Sequence, residues 1–171
     1  SRIVVTGSSS GLGLCIADEL SYKGHIVLPF DKAHGADVRN PSVNRDFVEE
    51  GVDVLVNCAG VVRLKWLRDM IGDDWNVVMD VNAKGIYKMS KHLLPALTKS
   101  HGTILNIVSS AAHVPMRTSL AYNASKAAAL MMTRQMAREL APDITVFSVS
   151  PNRMKGTEMS RQVDEETSHL R

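Results

Sequence analysis

The chain has 171 residues, of which 44% are apolar and 22% charged, and a formal net charge of +2. That length suits one domain with a substantial buried core and is short for two, and the composition excludes a disordered chain. The charge is spread without a basic run, so nucleic-acid binding has no support. No apolar stretch approaches the roughly 20 residues that span a bilayer. The opening Ser1-Arg2-Ile3-Val4-Val5 reads as a strand rather than a signal peptide. A soluble, cytoplasmic protein without membrane contact is expected. Cys15 and Cys58 form no Cys-x-x-Cys pair and the six histidines show no ligand spacing, so neither a disulfide nor a metal site is expected.

In chain order, Ile3-Val4-Val5 is a β-branched run suited to a strand buried on both faces. It leads into Thr6-Gly7-Ser8-Ser9-Ser10-Gly11-Leu12-Gly13. A helical pattern follows, with Leu14, Ile16, Ala17 and Leu20 apolar and Gly24 as its stop. Glycines between a strand and a helix let the backbone turn tightly and let a pyrophosphate reach the helix N-terminal amides. A glycine-serine turn without a ligand is the alternative. Residues 25–30 form a second strand ending at Asp31. An acidic residue about 20 positions beyond the glycine turn accepts hydrogen bonds from ribose hydroxyls and repels a 2′-phosphate, which favours NAD over NADP. Lys32 beside it weighs the other way. Only five residues separate Asp31 from Asp37. That is too few for a crossover helix, so a third strand at Ala36, Asp37 and Val38 must be short.

Residues 41–50 read as a short helix with Asn40 as N-cap, Pro41 in the first turn and Gly51 at the exit. Val52-Asp53-Val54-Leu55-Val56 is the next strand and ends in Asn57-Cys58-Ala59-Gly60. Residues 63–74 have no periodicity. Residues 75–96 read as one long helix, in which Asn82 and Gly85 are locally unfavourable. A strand over residues 103–108 ends at Ser109 and Ser110, and the carboxyl ends of strands are where open α/β sheets bind ligands. Residues 113–118 form a loop whose His113, Val114 and Met116 can edge a substrate site. The helix over residues 119–140 carries Tyr122 and Lys126, four apart and therefore on one face. An ammonium beside a phenol lowers the phenol pKa from about 10, which makes a usable proton donor and acceptor near neutral pH. The same helix is apolar around most of its circumference. Its methionines read as packing rather than as a cofactor box. Residues 144–150 form a last strand, followed by Pro151 and a polar run.

The spacing Thr-Gly-x-x-x-Gly-x-Gly from Thr6 to Gly13, together with Tyr122-x-x-x-Lys126, resembles the short-chain dehydrogenase/reductase family. The resemblance implies an α/β fold, a single doubly wound Rossmann-type domain with a mainly parallel sheet. Six strands in the order 3-2-1-4-5-6 are expected, the third weak. The domain is shortened at the second crossover and at the C-terminus, with 158–171 an incomplete substrate-covering segment. The implied activity is hydride transfer between NAD(P) and a secondary alcohol or ketone. Tyr122 would exchange the proton, Lys126 would tune it and bind the nicotinamide ribose, and Ser109, thirteen residues upstream, would orient the substrate. Asn82 would kink its helix and hold a relay water; Ser110 is left a structural part.

The same resemblance places Gly7, Ser9, Ser10, Gly11, Leu12 and Gly13 at the pyrophosphate, Asp31 at the ribose, and Asp37 and Val38 against the adenine. Asn57 would brace the sheet, the small Ala59 and Gly60 would leave room for the cofactor, and Pro151 would open the loop beyond the last strand. Cys58 departs from the family's second asparagine, Asn152 from its glycine, and Thr157 falls about one position late for a nicotinamide contact. A homo-oligomer, dimer or tetramer, is implied by the helix bearing Tyr122. Two alternatives stay open: a dinucleotide-binding module with little catalysis that acts through oligomerisation or a partner, and a piece of a longer enzyme.

Overall fold

The computed structural model describes residues 1–42 and 45–167. Five strands, β1 (Arg2–Thr6), β2 (Ile26–Phe30), β3 (Val54–Asn57), β4 (Thr103–Ile107) and β5 (Thr145–Val149), form one parallel sheet in the order β2-β1-β3-β4-β5. Strand side chains alternate between faces. Val4, Leu55, Ile104 and Val146 therefore point to one side, where they pack with Met89, Leu93 and Leu97 of helix α4 (Gly85–Lys99). Ile3, Val5 and Val56 point to the other, against Ala17 of helix α1 (Gly11–Tyr22). A strand covered on both faces has to be apolar throughout, which is why β1 reads as an unbroken aliphatic run. Each fully buried side chain of this kind contributes about 1.5–3 kcal/mol.

The sheet has five strands where six were expected, and the missing one is the third. Asp31 accepts from the Ala33 amide at 2.9 Å and caps a single 3-10 turn, Lys32–His34, that ends at Gly35 with φ +74°. Asp37 then accepts from the Arg39 amide at 2.9 Å and from its guanidinium, and the Asn40 amide closes on the Asp37 carbonyl at 2.9 Å. A short acidic side chain that bonds the backbone two residues on offers the chain a turn in place of a ladder. Val38 still enters the core at 8% exposure. A Cβ on Gly85 would stand 2.8 Å from Val38 Cγ2, which accounts for a glycine that helix propensity alone disfavours.

Helix α2 (Arg45–Glu49) starts later than expected. Asn40 lies in the turn rather than at a helix cap, and residues 43–44 lie outside the described residues. Gly51 ends the segment with φ +97°, where a left-handed residue is needed. The expected long helix is instead α3 (Gly72–Met79), a π-helical stretch (Asp80–Lys84) and α4, beginning in the segment that showed no periodicity. The remaining helices are α5 (Leu120–Leu140) and α6 (Glu158–Thr167).

A buried polar chain fixes the carboxyl ends of the central strands. Asn57 Nδ2 donates to Asn106 Oδ1 at 2.9 Å, Asn106 Nδ2 donates to Thr133 Oγ1 at 2.9 Å, and Thr133 Oγ1 donates to the Ala129 carbonyl at 2.8 Å. Each donor finds an acceptor, so the network locks β3, β4 and α5 together without stranding a polar group.

Candidate active site

Helix α5 enters the site through its cap: Ser119 Oγ accepts from the Tyr122 amide at 3.2 Å. The next turn brings Lys126 beneath Tyr122, and both are nearly closed to solvent, at 5% and 8% exposure. Lys126 Nζ donates to the Ile107 carbonyl at the end of β4, 3.0 Å away, and lies 5.8 Å from the Tyr122 ring centroid. Ser109 follows β4 directly. Its Oγ accepts from the Ala111 amide at 3.1 Å and stands near the Tyr122 hydroxyl, whose proton affinity it lowers.

Burial sets the proton affinities here. It pushes the Tyr122 phenol above its ordinary value, and the nearby Ser109 hydroxyl opposes that rise. This differs from the expectation that Lys126 lowers it. Lys126 is directed at the Ile107 carbonyl, and desolvation, invisible in a four-residue spacing, sets the direction. Burial also pushes Lys126 down to about 8 and the neighbouring Cys58 thiol up to about 11.

These shifts carry a pH dependence. From about pH 8 the folded chain releases the Lys126 proton that the unfolded chain keeps to about 10.5, so stability rises with pH. From its ordinary 9.0 upward Cys58 acts oppositely, because the folded thiol keeps its proton to about 11. Lys126 therefore dominates between about pH 8 and 9. Thermal unfolding of Lys126→Met across that window is expected to show a flatter rise than the wild type; equal slopes would remove the buried lysine as the cause.

Asn82 sits in the π-helical stretch, fully buried. Its Oδ1 accepts from the Val61 amide at 2.8 Å, and its Nδ2 donates to the Val61 carbonyl at 2.9 Å and to Ser125 Oγ at 3.1 Å. Both amide hydrogens are thus engaged by protein. The side chain staples the loop after β3 to α5, and a relay water would have to be held by other atoms. π-Bulges concentrate at functional sites.

The glycine turn is shaped by the chain's own backbone. A Cβ at Gly7, where φ is +68°, would lie 2.7 Å from Ala59 Cα, and one at Gly13 would lie 2.1 Å from the Gly7 carbonyl oxygen. Thr6 Oγ1 accepts from the Cys58 and Ala59 amides, each at 3.0 Å, and so ties the turn to the end of β3. Gly60 differs. A Cβ there would meet Asn82 Oδ1 at 3.6 Å and Lys126 Nζ at 3.8 Å, ordinary contacts. Packing does not demand that glycine; its missing Cβ widens the space beside Lys126. Ser10, the N-cap of α1, makes no capping hydrogen bond with its side chain, and none of the first-turn residues Gly11, Leu12 and Gly13 is acidic. An uncapped helix start behind a glycine turn, with a cradle beside a buried lysine, fits a dinucleotide.

The adenosine end is less uniform. Desolvation would raise the Asp31 carboxyl, yet donors from Ala33 and Ser9 and the nearby His34 hold it below its ordinary value. Ser9 Oγ lies 3.4 Å from His34 Nδ1. The Asp37 carboxyl is held down to about 2 by Arg39, and Lys32 Nζ stands 4.0 Å away. Asp37 is therefore engaged in its own turn, and Val38 is directed into the core.

The loops after β4 and β5 are stitched together. The Ser110 amide donates to the Pro151 carbonyl at 3.0 Å, Ser110 Oγ donates to Asn152 Oδ1 at 3.3 Å, and His113 Nε2 lies 3.0 Å from Ser150 Oγ. Sequence reasoning named 158–171 as a covering segment but did not foresee its helix, α6. Thr157 Oγ1 accepts from the Ser160 amide at 3.1 Å and caps α6, while its methyl lies 3.7 Å from where a Gly11 Cβ would be. Met159 packs on the cluster of Val62, Val78, Ala111, Ala121 and Tyr122. Arg153 pairs with Asp164 to anchor the same helix. A threonine cap followed by Glu158 in the first turn was the available signal. Among the described residues no group of acidic, histidine or cysteine side chains is placed to hold a metal, and no helix is long and apolar enough to cross a membrane.

The family described as short chain dehydrogenase matches residues 35–168. A 3-oxoacyl-[acyl-carrier-protein] reductase of Buchnera aphidicola is 34% identical over 178 residues, covering 89% of this chain and 73% of that protein. An NAD-dependent glycerol dehydrogenase of Listeria innocua is 33% identical, covering 86% and 68%. The ligand-free aldohexose dehydrogenase of Thermoplasma acidophilum superposes with a TM-score of 0.86 at 27% identity, covering 98% of this chain and 72% of that one. The chain belongs to the short-chain dehydrogenase/reductase family and is an NAD(P)-dependent oxidoreductase.

Proposed function

We propose that the protein transfers a hydride between a nicotinamide dinucleotide, NAD in preference to NADP, and a secondary alcohol or ketone, with Tyr122 as acid and base. The observation that carries this reading is the gathering of Tyr122, Ser109 and Lys126 at the carboxyl end of β4, beside the space left by Gly60. The cofactor, when bound, supplies the hydride chemistry. The Ser109 hydroxyl holds the substrate oxygen, and the Tyr122 hydroxyl gives that oxygen a proton in reduction or takes it in oxidation. Lys126, one turn below, donates to a ribose hydroxyl. Asn82 keeps the Val61 loop in place so that Ala59 and Gly60 stay close to the dinucleotide, and Asn57 braces the strand ends beneath them. The amides of Gly11, Leu12 and Gly13, in the turn made by Gly7, Ser9 and Ser10, receive the pyrophosphate. Pro151 opens the loop that faces the nicotinamide, and Met159 helps exclude water. Residues Asp37 and Val38 shape the adenine edge through the backbone of their turn.

The NAD preference rests on Asp31, whose carboxylate is charged at neutral pH and would meet a 2′-phosphate of like sign. Steady-state rates with both cofactors and an alcohol and ketone panel test this. Wild type is expected to favour NAD, and Asp31→Ser to shift the ratio of kcat/KM toward NADP by about tenfold or more. An unchanged ratio would contradict the role of Asp31. The reading includes a homo-oligomer, since α5 presents Leu120 and Met131 at 47% and 60% exposure.

A further inference from the structure

Ser109 can serve Tyr122 only if its hydroxyl is held still, and its own turn is a weak support. The turn is one 3-10 segment, Ser110–Ala112, capped by Ser109 at one end and His113 at the other. Its internal bonds run from the Ala111 amide to Ser109 Oγ at 3.1 Å, from the Ala112 amide to the Ser109 carbonyl at 3.0 Å and from the His113 amide to the Ser110 carbonyl at 3.0 Å. So short a segment, with the poorer bond geometry of a 3-10 turn, does not fix its own place. The segment after β5 holds it from outside. The Val108 amide donates to the Val149 carbonyl at 2.8 Å, just before the serine, and the Ser110 amide donates to the Pro151 carbonyl at 3.0 Å, just after it. Two side-chain bonds reach further round the turn. Ser110 Oγ donates to Asn152 Oδ1 at 3.3 Å, and His113 Nε2 lies 3.0 Å from Ser150 Oγ. Asn152 stands where the family pattern has glycine, which has no side chain for Ser110 to reach. Both side-chain bonds are exposed, where a hydrogen bond adds little to global stability. Their consequence is local: they cross the gap between two loops at the residue next to Ser109 and at the far end of its turn.

We propose that Asn152 and His113 are positioning residues: together they clamp the Ser109 turn to the loop after β5 and hold the Ser109 hydroxyl in place beside Tyr122. This rests on the reading of Ser109 as the group that holds the substrate oxygen, and adds the residues that hold Ser109. Neither touches the reacting atoms. With one limb of the clamp gone, the turn rocks on the bonds that remain. A misplacement of about 1 Å in a substrate-holding group costs about 10²-fold in rate, so a smaller shift already reads in kcat. Asn152 Oδ1 also accepts from the Arg153 amide at 2.8 Å, so Ser110→Ala is the cleaner cut, removing the bond to Asn152 while leaving that contact intact.

Steady-state kinetics with NADH and the ketone that wild type reduces fastest in a panel, amide hydrogen exchange and thermal unfolding test it. His113→Ala, Asn152→Ala and Ser110→Ala are each expected to lower kcat about tenfold, with KM for the ketone within about threefold and NADH affinity within about twofold. Their unfolding midpoints are expected within about 2 °C of wild type. Asn152→Asp keeps an acceptor oxygen for Ser110 and is expected to restore kcat to within about threefold. In the free protein, exchange of the Ala111 amide, which is bonded to Ser109 Oγ, is expected to quicken about tenfold in the three alanine variants, while that of Leu105 within β4 stays unchanged. In a Ser109→Ala background the same changes are expected to lower kcat no further, since no hydroxyl remains to be misplaced. A kcat within about twofold of wild type in the alanine variants, Ala111 exchange that does not move, or an equal loss of kcat with and without Ser109 overturns the proposal while the reading of Tyr122 and Ser109 stands. If wild type reduces no ketone, that reading fails and this inference with it.

Discussion

Tyr122→Phe is expected to lower kcat by about 10³-fold while leaving cofactor affinity within about twofold. The substitution removes one oxygen and keeps the ring that packs against Val62, Val78 and Ala121. Its structural effect is the loss of a hydroxyl near Ser109, on the order of 1 kcal/mol. Its chemical effect is the loss of the atom that exchanges the proton. The split between a large change in turnover and a small one in binding and stability separates acid/base work from packing. Burial raises the phenol above its ordinary value, so in the free protein Tyr122 is an acid with its proton in place at neutral pH. That state suits carbonyl reduction, in which the tyrosine donates. Oxidation, which needs the phenolate, is expected to gain rate with pH until Tyr122 titrates. A pH profile with the same slope in both directions would contradict this assignment.

Gly13→Ala is expected to remove dinucleotide binding and to destabilise the fold by about 3 kcal/mol or more. The added Cβ would stand 2.1 Å from the Gly7 carbonyl oxygen and 2.7 Å from its carbonyl carbon. Both are backbone atoms, so relief requires the turn itself to move. Gly7 cannot retreat, since it already sits against Ala59, where its own Cβ would be 2.7 Å from Ala59 Cα. Gly72 is the control. It starts α3 with open space where a Cβ would stand, no atom lying within 4 Å, and its φ is not positive. Gly72→Ala is therefore expected to be neutral or stabilising by up to about 1 kcal/mol. Chemical denaturation of the two variants reads both values. A Gly13→Ala protein as stable as Gly72→Ala would mean that the turn is softer than its contacts indicate.

What was legible in the sequence is what local pattern determines. The aliphatic runs of β1 and β3, the glycine turn and the amphipathic start of α1 each declare themselves within ten residues. Asp31 could be placed by counting from the turn. What stayed illegible depends on partners far away in the chain. The third strand fails because Asp37 folds onto Arg39, a choice of side chain over ladder that periodicity does not weigh. The π-helical stretch follows from Asn82 reaching Val61, twenty-one residues earlier. The glycine at 85 is explained by Val38, which only the packed core brings against it. The direction of the Tyr122 shift depends on burial, and burial under Met159 comes from a helix that reads as a polar tail. Cover over Tyr122 is supplied by that helix, α6, anchored through Arg153 and Asp164.

The most direct test of the central claim follows one atom. NADH deuterated at its transferring carbon is incubated with the protein and a panel of ketones, and the products are read by mass spectrometry. Deuterium on the carbinol carbon of at least one product, lost in Tyr122→Phe, is the predicted result. NADH bound by the protein with no deuterium in any product would contradict it.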